Sequence, residues 1–472
     1  MQKKDGFSSK LGFVLAAAGS AVGLGNIWRF PYLTAKYGGG IFLLTYLILV
    51  LTFGYALLIA ENAIGRMTGK GPIGAFRELC AGKTSFLGSI RIGGWINAIV
   101  PLIILPYYCV IGGWVTKYVF AMLCNPVARF SKDAIEVFDG RQMNASAAYF
   151  QSFVSSTWEP LTFFFIFVAI IVVVAAFGVE KGVERFNKVL MPILILLIIA
   201  ICIYCMFLPN AGAGFRYYLM PDPAKFSYMT VVAAMGQLFF SLSIAMGIMI
   251  TYGAYMRKED NLVSSVNQVE LFDTGVAFLA GLMIIPSVVA FGGEKAAEQA
   301  GVGLVFVTMP QVFASFPGGQ FVGVAFFVLV LFAAATSAIS LLETNVHTFC
   351  QELKIMRIKA IALNVLSIII IGTVTILGYS VLSFVKPMFF IKRYSNMDTL
   401  DTLDFISNSV LMPVGAIMTT VLVVSVIGME RICREIKGQN PWYREFVFQF
   451  CMCVVVIPCL LIVLLNATGL IG

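Results

Sequence analysis

A carboxylate in the middle of an apolar stretch offers the most specific chemistry in this sequence. Asp273 lies in the apolar segment 261–291, past the charged loop that ends near Asp260. If the segment is a membrane helix, a rise of about 1.5 Å per residue places Asp273 roughly 18 Å into it. A carboxylate at that depth is costly in lipid and marks an ion or proton pathway. A position at the cytoplasmic end of the helix is the alternative, and the depth disfavours it.

Two other apolar segments carry small and polar residues where a membrane helix should be continuous. The first reads AAAGSAVGLGNIWRFPYL, with Gly23 and Gly25 near its middle, and the sixth reads GQLFFSLSIAMGIMITY, with Ser241 and Ser243 at a similar depth. Glycine and hydroxyl residues weaken a helix, and unpaired backbone groups are tolerated in lipid only where they line a protein cavity. Two interruptions therefore predict one shared cavity. Close packing of small residues between helices explains either segment alone about equally well.

The composition indicates a membrane protein rather than a soluble one. Of the 472 residues, 60% are hydrophobic and 12% are charged. A soluble domain carries about 25% charged residues, so this chain is expected to fold in lipid. A bilayer core needs about 20 apolar residues per helix. Eleven segments meet that length, namely 11–34, 41–65, 90–124, 160–178, 187–208, 228–256, 261–291, 320–351, 360–384, 402–428 and 446–468.

The basic residues predict the orientation. The formal charge of +8 lies largely in short loops between apolar runs, which is typical of a membrane protein rather than of a nucleic-acid-binding one. The N-terminus and alternate loops hold about twenty of the 32 Lys and Arg residues. These loops are 66–91, 179–188, 257–260, 352–359 and 429–445. The positive-inside rule therefore predicts a cytoplasmic N-terminus and, after eleven helices, an external C-terminus.

The two interrupted segments also predict the domain organisation. They are the first and the sixth, so segments one to five and six to ten fit an inverted repeat. We expect a single transmembrane domain over residues 1–472, with repeat one at about 10–208, repeat two at about 228–428 and an extra helix at about 446–468. Interruptions at matching places in two halves indicate the substrate site of a transporter.

The other reactive side chains argue against several classes of function. The ten Cys residues are scattered and mostly lie inside apolar runs, which disfavours a disulfide scaffold. The single histidine, His347, argues against metal-dependent catalysis, and no nucleophile stands with a base. A channel would need a continuous polar lining, whereas the polar residues here cluster at mid-depth. Secondary active transport is the interpretation that remains.

The sequences around these features resemble one transporter family. Gly23 to Tyr32 reads GLGNIWRFPY, is followed by three glycines at 38–40, and resembles the first-helix signature of the neurotransmitter:sodium symporter family. Further stretches resemble that family in its order, at 97–114, 236–247, 335–338 and 401–413. The resemblance implies an all-α membrane protein with the leucine-transporter fold. It also implies sodium-coupled import of a neutral, hydrophobic L-amino acid across the bacterial inner membrane, as in the shorter, eleven-helix members.

By this resemblance the chain has two Na⁺ sites, and Na⁺ as a hard cation needs oxygen ligands. The first site is expected at Ala21, Asn26, Ser241 and Asp273. The second is expected at Gly19, Val22, Ala333, Thr336 and Ser337. A carboxylate at Asp273 replaces the anion that chloride-dependent members bind, so we expect chloride-independent transport. Protonation of Asp273 after sodium leaves would add proton antiport.

The resemblance also implies the substrate pocket. Its residues are expected to be Ala21, Val22, Gly25, Ile104, Tyr108, Phe240, Ser241, Ser243, Ile244, Met246, Ser337 and Leu341. Gly23 stands where monoamine carriers have Asp, which favours an amino acid over an amine. Ala245 replaces a glycine of many relatives, so its methyl group is expected to narrow the pocket. Glu61 resembles a glutamate that braces the unwound part of helix six.

On the outer side, Arg29 resembles the outer-gate arginine. Its expected partner is Asp404, with Asp401 as the alternative, and Phe240 beside Tyr108 would be the lid over the substrate. A pair of this kind serves better as a switch than as a source of stability.

On the inner side, the chain departs from the family pattern. Lys4 and Phe7 stand where relatives carry Arg and Trp, and the usual acidic partner on helix eight is Gln351, next to Glu352. His347 is expected to be a packing residue. The expected partners are the amino acid, sodium and lipid, with the chain as a monomer or weak homodimer. An amino-acid sensor that does not transport is the alternative function.

Overall fold

The computed structural model describes residues 6–83, 86–298, 303–388 and 394–469. Within these ranges nine helices are long and apolar enough to cross a membrane, and a tenth span consists of two helices bent by 47°. Two shorter helices on either side of an unwound stretch form an eleventh. The described part of the chain contains one small sheet, an antiparallel hairpin of β1 (Ile135–Phe138) and β2 (Arg141–Asn144).

We label the membrane helices α1 to α11 in chain order. They are α1 (Lys10–Ala21 and Gly25–Lys36), α2 (Gly40–Thr68), α3 (Ile92–Cys124), α4 (Trp158–Ala176), α5 (Val179–Met206), α6 (Tyr228–Ser241 and Ile248–Tyr255), α7 (Leu262–Gly293), α8 (Gly319–Leu353), α9 (Arg357–Leu377), α10 (Thr399–Ile427) and α11 (Glu445–Thr468). Short connecting helices lie at Pro72–Leu79, Phe86–Ser89, Val127–Phe130, Ala145–Ser155, Ala211–Leu219, Pro223–Lys225, Leu304–Ala314 and Met429–Lys437.

The eleven apolar segments correspond to α1 to α11, so the predicted fold class is confirmed. The ninth helix is shorter than its apolar pattern, since it ends at Leu377 whereas the pattern continues to 384. Residues 378–384 form turns of similar composition, and hydropathy alone does not distinguish an apolar turn from a helix. Wider turns of the π type interrupt several helices, among them Gly25–Arg29 in α1 and Val50–Gly54 in α2.

Burial separates central helices from those that face lipid. The apolar window of α3 is 83% buried and that of α8 is 67% buried, whereas those of α4 and α11 are each 33% buried. The first half of α1 packs against α5, α7 and α8, and the second half of α6 packs against α2. The two broken helices therefore lie inside the bundle, where other helices can satisfy their unwound backbone.

Candidate ion and substrate site

The break in α1 follows Ala21, where Val22 turns to an extended conformation (φ −74°, ψ 93°). Gly23 lies so close to α8 that a Cβ atom there would be 2.4 Å from the Ser337 hydroxyl oxygen. The backbone N–H of Leu24 donates to the Tyr108 hydroxyl at 3.2 Å. Side chains of α3 and α8 thus take up the space and part of the hydrogen bonding of the unwound stretch, as a break within lipid requires.

The break in α6 separates Ser241 from Ile248 and contains three left-handed residues, Ser243 (φ 53°), Ala245 (φ 59°) and Gly247 (φ 70°). The backbone N–H of Ala245 donates to the carboxylate of Glu61 at 2.7 Å, and Glu61 is fully buried in α2. Non-glycine residues with positive φ are uncommon and are strained unless their surroundings hold them. Glu61 therefore supports the unwound part of α6, in the place that the resemblance implies.

Asp273 lies fully buried in α7 and faces both breaks. Its Oδ1 accepts a hydrogen bond from the side-chain amide of Asn26 at 2.7 Å, and the Ser241 hydroxyl lies 2.9 and 3.0 Å from its two carboxylate oxygens. The Tyr46 hydroxyl donates to Ser241 at 3.1 Å. Three of the four residues expected at the first ion site thus meet directly. Ala21 ends the first half of α1 nearby. Sequence reasoning missed Tyr46, because an aromatic residue in an apolar run gives no signal.

The residues expected at a second ion site lie where α1 meets α8. The Ser337 hydroxyl donates to the carbonyl of Ser20 at 2.9 Å and lies 3.4 Å from that of Gly19. The Thr336 hydroxyl bonds back to its own helix, with the Ala333 carbonyl at 3.1 Å, as is usual for threonine in membrane helices. Val22, the remaining expected residue, caps the first half of α1 and is buried.

A small cavity lies between the breaks, with room for about 20 Å³ of water-sized volume. That is roughly one water molecule. Nine of the twelve expected substrate residues line it, namely Ala21, Gly25, Ile104, Tyr108, Phe240, Ser243, Met246, Ser337 and Leu341. The lining also includes Ser20, Gly23 and Ile248, whereas Val22, Ser241 and Ile244 lie outside it. Ala245 is not part of the lining of this cavity, and the narrowing of the substrate pocket by its methyl group stays a prediction.

A larger cavity of about 190 Å³ lies on the far side of Phe240 and Tyr108, whose rings line both spaces with centroids 6.4 Å apart. Arg29 and Asp404 line this larger cavity, which we call the vestibule. Arg29 lies over the Phe240 ring, with its Cζ 5.4 Å from the centroid, while Asp404 accepts from the Tyr107 hydroxyl at 3.1 Å. The two charges are not ion-paired, and none of the residues that the structure describes bonds to Nη1 of Arg29.

The face on which α1 begins, which we call the N-terminal face, is closed by aromatic packing. Phe7 is buried and contacts Tyr252 and Tyr255 edge to face, with centroids 5.4 and 6.0 Å apart. Lys4, the expected inner-gate cation, lies outside the described residues. Gln351 accepts from the backbone N–H of Gly71 at 2.9 Å. Gln351, which stands where the family has an acidic residue, therefore joins α8 to a loop through this hydrogen bond.

A buried carboxylate of α8 completes this closure. Glu343 is fully buried, forms an ion pair with Arg357 at the start of α9 and accepts from the Tyr255 hydroxyl at 2.8 Å. Nδ1 of His347 lies 2.7 Å from the same hydroxyl, so the histidine shares a hydrogen-bond network rather than only filling space. Sequence reasoning missed Glu343, although the rule that singled out Asp273 applies equally to it.

Two broken helices that meet at a buried cluster of side-chain oxygen atoms, beside a small cavity, are typical of a secondary active transporter. Comparison with known proteins makes the class specific. A profile described as the Sodium:neurotransmitter symporter family matches residues 4–130 and 127–470. The chain belongs to this family. It is a multi-pass membrane protein and a sodium-coupled transporter with the leucine-transporter fold, and its relatives are transporters rather than enzymes.

Individual relatives match over nearly the whole chain. The sodium-dependent transporter YhdH of Bacillus subtilis (strain 168) is 34% identical over 473 residues, covering 100% of this chain and 99% of its own length. The crystal structure of MhsT in complex with L-phenylalanine aligns with a TM-score of 0.85 at 33% identity, over 98% of this chain and 99% of that one. A sodium- and chloride-dependent taurine transporter of Rattus norvegicus is 28% identical over 366 residues, which is 70% of this chain and 58% of that transporter.

Proposed function

We propose that this protein imports a neutral, hydrophobic L-amino acid together with sodium by alternating access, and that it does so without chloride. The observation that carries the proposal is the buried carboxylate of Asp273 in contact with Asn26 and Ser241, one residue from each broken helix. The adjoining cavity is lined without any charged side chain. One negative charge beside an uncharged pocket suits a cation and a zwitterion bound together.

The first Na⁺ would be held by the Ala21 carbonyl, Asn26, Ser241 and Asp273. In the structure Asn26 and Ser241 both point a hydrogen toward Asp273, whereas Na⁺ requires oxygen lone pairs. Binding therefore involves a turn of the Asn26 amide and of the Ser241 hydroxyl, so that each presents oxygen to the ion. A second Na⁺ would use the carbonyls of Gly19, Val22 and Ala333 and the hydroxyls of Thr336 and Ser337.

The substrate carboxylate would bind at the break in α1. Exposed amides of an unwound helix attract anions, and the Tyr108 hydroxyl lies at the same place. Because Gly23 leaves no charged group there, the first Na⁺ faces the substrate carboxylate. The side chain would lie against Ile104, Met246 and Leu341, which suit an aliphatic or aromatic group. The complex of MhsT with L-phenylalanine supports this substrate class.

The direction of transport follows from the predicted topology. The N-terminal face carries most of the basic loops, so we propose that it faces the cytoplasm of a bacterial cell. The vestibule then opens to the outside. Each sodium entering down a potential of 100 mV would contribute about 2.3 kcal/mol to uptake.

The decisive experiment measures uptake of the twenty tritiated amino acids by proteoliposomes with an inside-negative potential. We expect saturable uptake of hydrophobic amino acids in NaCl and in sodium gluconate, and background uptake in choline chloride. Uptake that collapses in gluconate would refute chloride independence. Binding without uptake would support the sensor instead.

Asp273→Asn provides the matched control in the same vesicles. The variant removes the fixed negative charge, so we expect a lower sodium affinity and a new stimulation by chloride. A pH-sensitive dye inside the vesicles tests proton antiport, which predicts internal alkalinisation during uptake. No pH change, together with uptake that ignores an outward proton gradient, would exclude it.

A further inference from the structure

The loop before α11 inserts an arginine between two helices of the ion site. Arg444 makes a two-pronged ion pair with Glu270 of α7, with Nη1 2.6 Å and Nη2 2.9 Å from its carboxylate oxygens. The Glu270 side chain is only 6% exposed. A bidentate pair between an arginine and a buried carboxylate fixes both position and orientation.

The same arginine holds α2. Its Nη2 also donates to the carbonyl of Leu51, which lies inside the π turn Val50–Gly54. Its Cζ lies 3.4 Å from the centroid of the Tyr55 ring, and the Tyr55 hydroxyl accepts from Trp442 at 2.8 Å. A π turn breaks the regular pattern of helical hydrogen bonds, so Arg444 binds α2 where its backbone is locally irregular.

These contacts join the same two helices that meet at the candidate ion site. Glu270 precedes Asp273 by three residues, which places the two on one side of α7. On α2, Tyr46 lies just before the π turn and reaches Ser241, which in turn reaches Asp273. The helices α2 and α7 are thus linked twice, once through Ser241 and once, close by, through Arg444.

We propose that Arg444 is a positioning residue for the first sodium site. By locking α7 to α2 near Asp273, it sets the geometry in which Asp273, Ser241 and Asn26 bind Na⁺. This role also gives a purpose to the loop and the helix that lie outside the two predicted repeats. The inference rests on the proposed use of Asp273 as a sodium ligand.

Sodium binding can be measured without knowing the substrate. Purified full-length protein is heated at increasing NaCl, with choline chloride keeping the ionic strength constant, because an ion that binds only the folded state raises the melting temperature. The sodium concentration for half of this rise is the readout. Mutating a group that contacts a metal ligand typically weakens metal binding about 10–100-fold. Arg444 lies one contact further from the ion, so we expect Arg444→Gln to raise the midpoint by a smaller factor, about fivefold.

Three further variants separate positioning from simple stability. Arg434→Gln breaks the Arg434–Glu430 pair on the preceding short helix. The two side chains are 78% and 88% exposed, so this variant should leave the sodium midpoint unchanged. Arg444→Lys keeps the charge but loses the two-pronged geometry, so it should give an intermediate midpoint. Glu270→Gln should raise the midpoint, and adding Arg444→Gln to it should raise it little further, because both changes remove one interaction.

The inference is wrong if Arg444→Gln has a sodium midpoint within about twofold of the wild-type value but a lower melting temperature in choline alone. Arg444 would then have only a structural role. If Arg444→Gln does not fold, Glu270→Gln decides by the same criterion, because it removes the same ion pair from the other side. Failure of the proposed function has a different signature. In that case sodium would not raise the melting temperature of the wild-type protein, or Asp273→Asn would leave its midpoint unchanged.

Discussion

The two ends of the transport path are in opposite states. On the N-terminal face, Phe7 fills the path against Tyr252 and Tyr255, and the buried ion pair between Glu343 and Arg357 is formed. On the opposite face, Arg29 borders an open vestibule of about 190 Å³ without contacting the carboxylate expected to pair with it. The molecule is therefore closed at one end and accessible at the other.

This contrast indicates which contacts must form and break when the protein changes conformation. Each end has its own charged pair, and in this structure only the buried one is made. Alternating access requires the balance to reverse, so that the outer charges close over the substrate while the inner contacts loosen. Such a change is possible only if the two arrangements differ by a few kcal/mol. Variants at either end therefore test how the difference is held.

The largest effect is expected at the closed end. Arg357→Gln leaves Glu343 buried without its partner, and breaking such a pair costs about 3–5 kcal/mol. We expect a marked fall in melting temperature in choline chloride and uptake reduced to near background. Thermal unfolding of the purified protein and uptake by proteoliposomes check both.

Lys70→Gln is the control for this variant, because the Lys70–Glu78 pair lies on the same face with its side chains 49% and 48% exposed. An exposed pair contributes at most about 1 kcal/mol. If both variants lowered the melting temperature equally, burial of the Glu343 pair would not be what holds this end closed.

The next largest effect concerns the partition between vestibule and cavity. Phe240 is the ring that both spaces share with Tyr108. Phe240→Ala should join the two spaces and remove an apolar lid. Binding of the tritiated amino acid that the wild type takes up best should weaken about tenfold, or about 1.4 kcal/mol. The sodium midpoint should change less than the substrate affinity, since Phe240 is not among the expected sodium ligands.

Trp28→Phe is the comparison for Phe240→Ala, because Trp28 lines the vestibule but not the inner cavity. We expect it to bind substrate nearly as the wild type does. Equal losses in the two variants would mean that the vestibule as a whole, rather than the ring at its base, governs affinity.

A smaller effect is expected from the separated outer charges. Without substrate, the effects of Arg29→Gln and Asp404→Asn on stability should simply add, because the pair is not formed in that state. With substrate bound, the double-mutant cycle should give a coupling of about 1 kcal/mol in binding free energy. Scintillation-proximity binding measures the affinities. The same coupling with and without substrate would contradict a pair that forms on closure.

The helices and residues that form the two ends could be predicted from the sequence better than the conformation in which each end is found. The eleven helices and both breaks followed from apolar length and from misplaced small and polar residues, and the depth of Asp273 followed from its place in an apolar run. The meeting of Asn26 and Ser241 with Asp273 was implied by the resemblance to the family. Those signals are local. Glu343 and Glu270 carry the same intramembrane signal, and their roles depend on Arg357 and Arg444, which lie outside the apolar runs on other helices or loops.

Which end is closed could not be predicted from the sequence, because one chain must encode both states. The distance between Arg29 and Asp404 differs between those states, whereas their identities do not. The left-handed backbone conformations of Ser243 and Ala245 were also missed, because in a sequence it is glycine that indicates a positive φ.

The smallest predicted effect lies at the hinge between the two ends, in the unwound part of α6. Ala245 has φ 59° and holds Glu61 through its N–H. Ala245→Gly should relieve about 1 kcal/mol of left-handed strain, partly offset by greater freedom of the unfolded chain. We expect an unchanged or slightly higher melting temperature and the same ranking of amino acids, because the methyl group does not line the cavity. A broadened substrate range would show instead that this methyl group bounds the pocket when substrate is present.

Gly247→Ala is the matched variant two residues along, and it should act in the opposite direction. Gly247 also has positive φ, and a Cβ there would lie 2.8 Å from the backbone oxygen of Asn97 on α3. The clash adds to the left-handed strain, so the melting temperature should fall by more than Ala245→Gly raises it. If both variants left stability unchanged, the unwound stretch would be compliant enough to absorb either residue. In that case the side-chain contacts at the two ends, rather than the backbone of the unwound stretch, would keep one end closed and the other open.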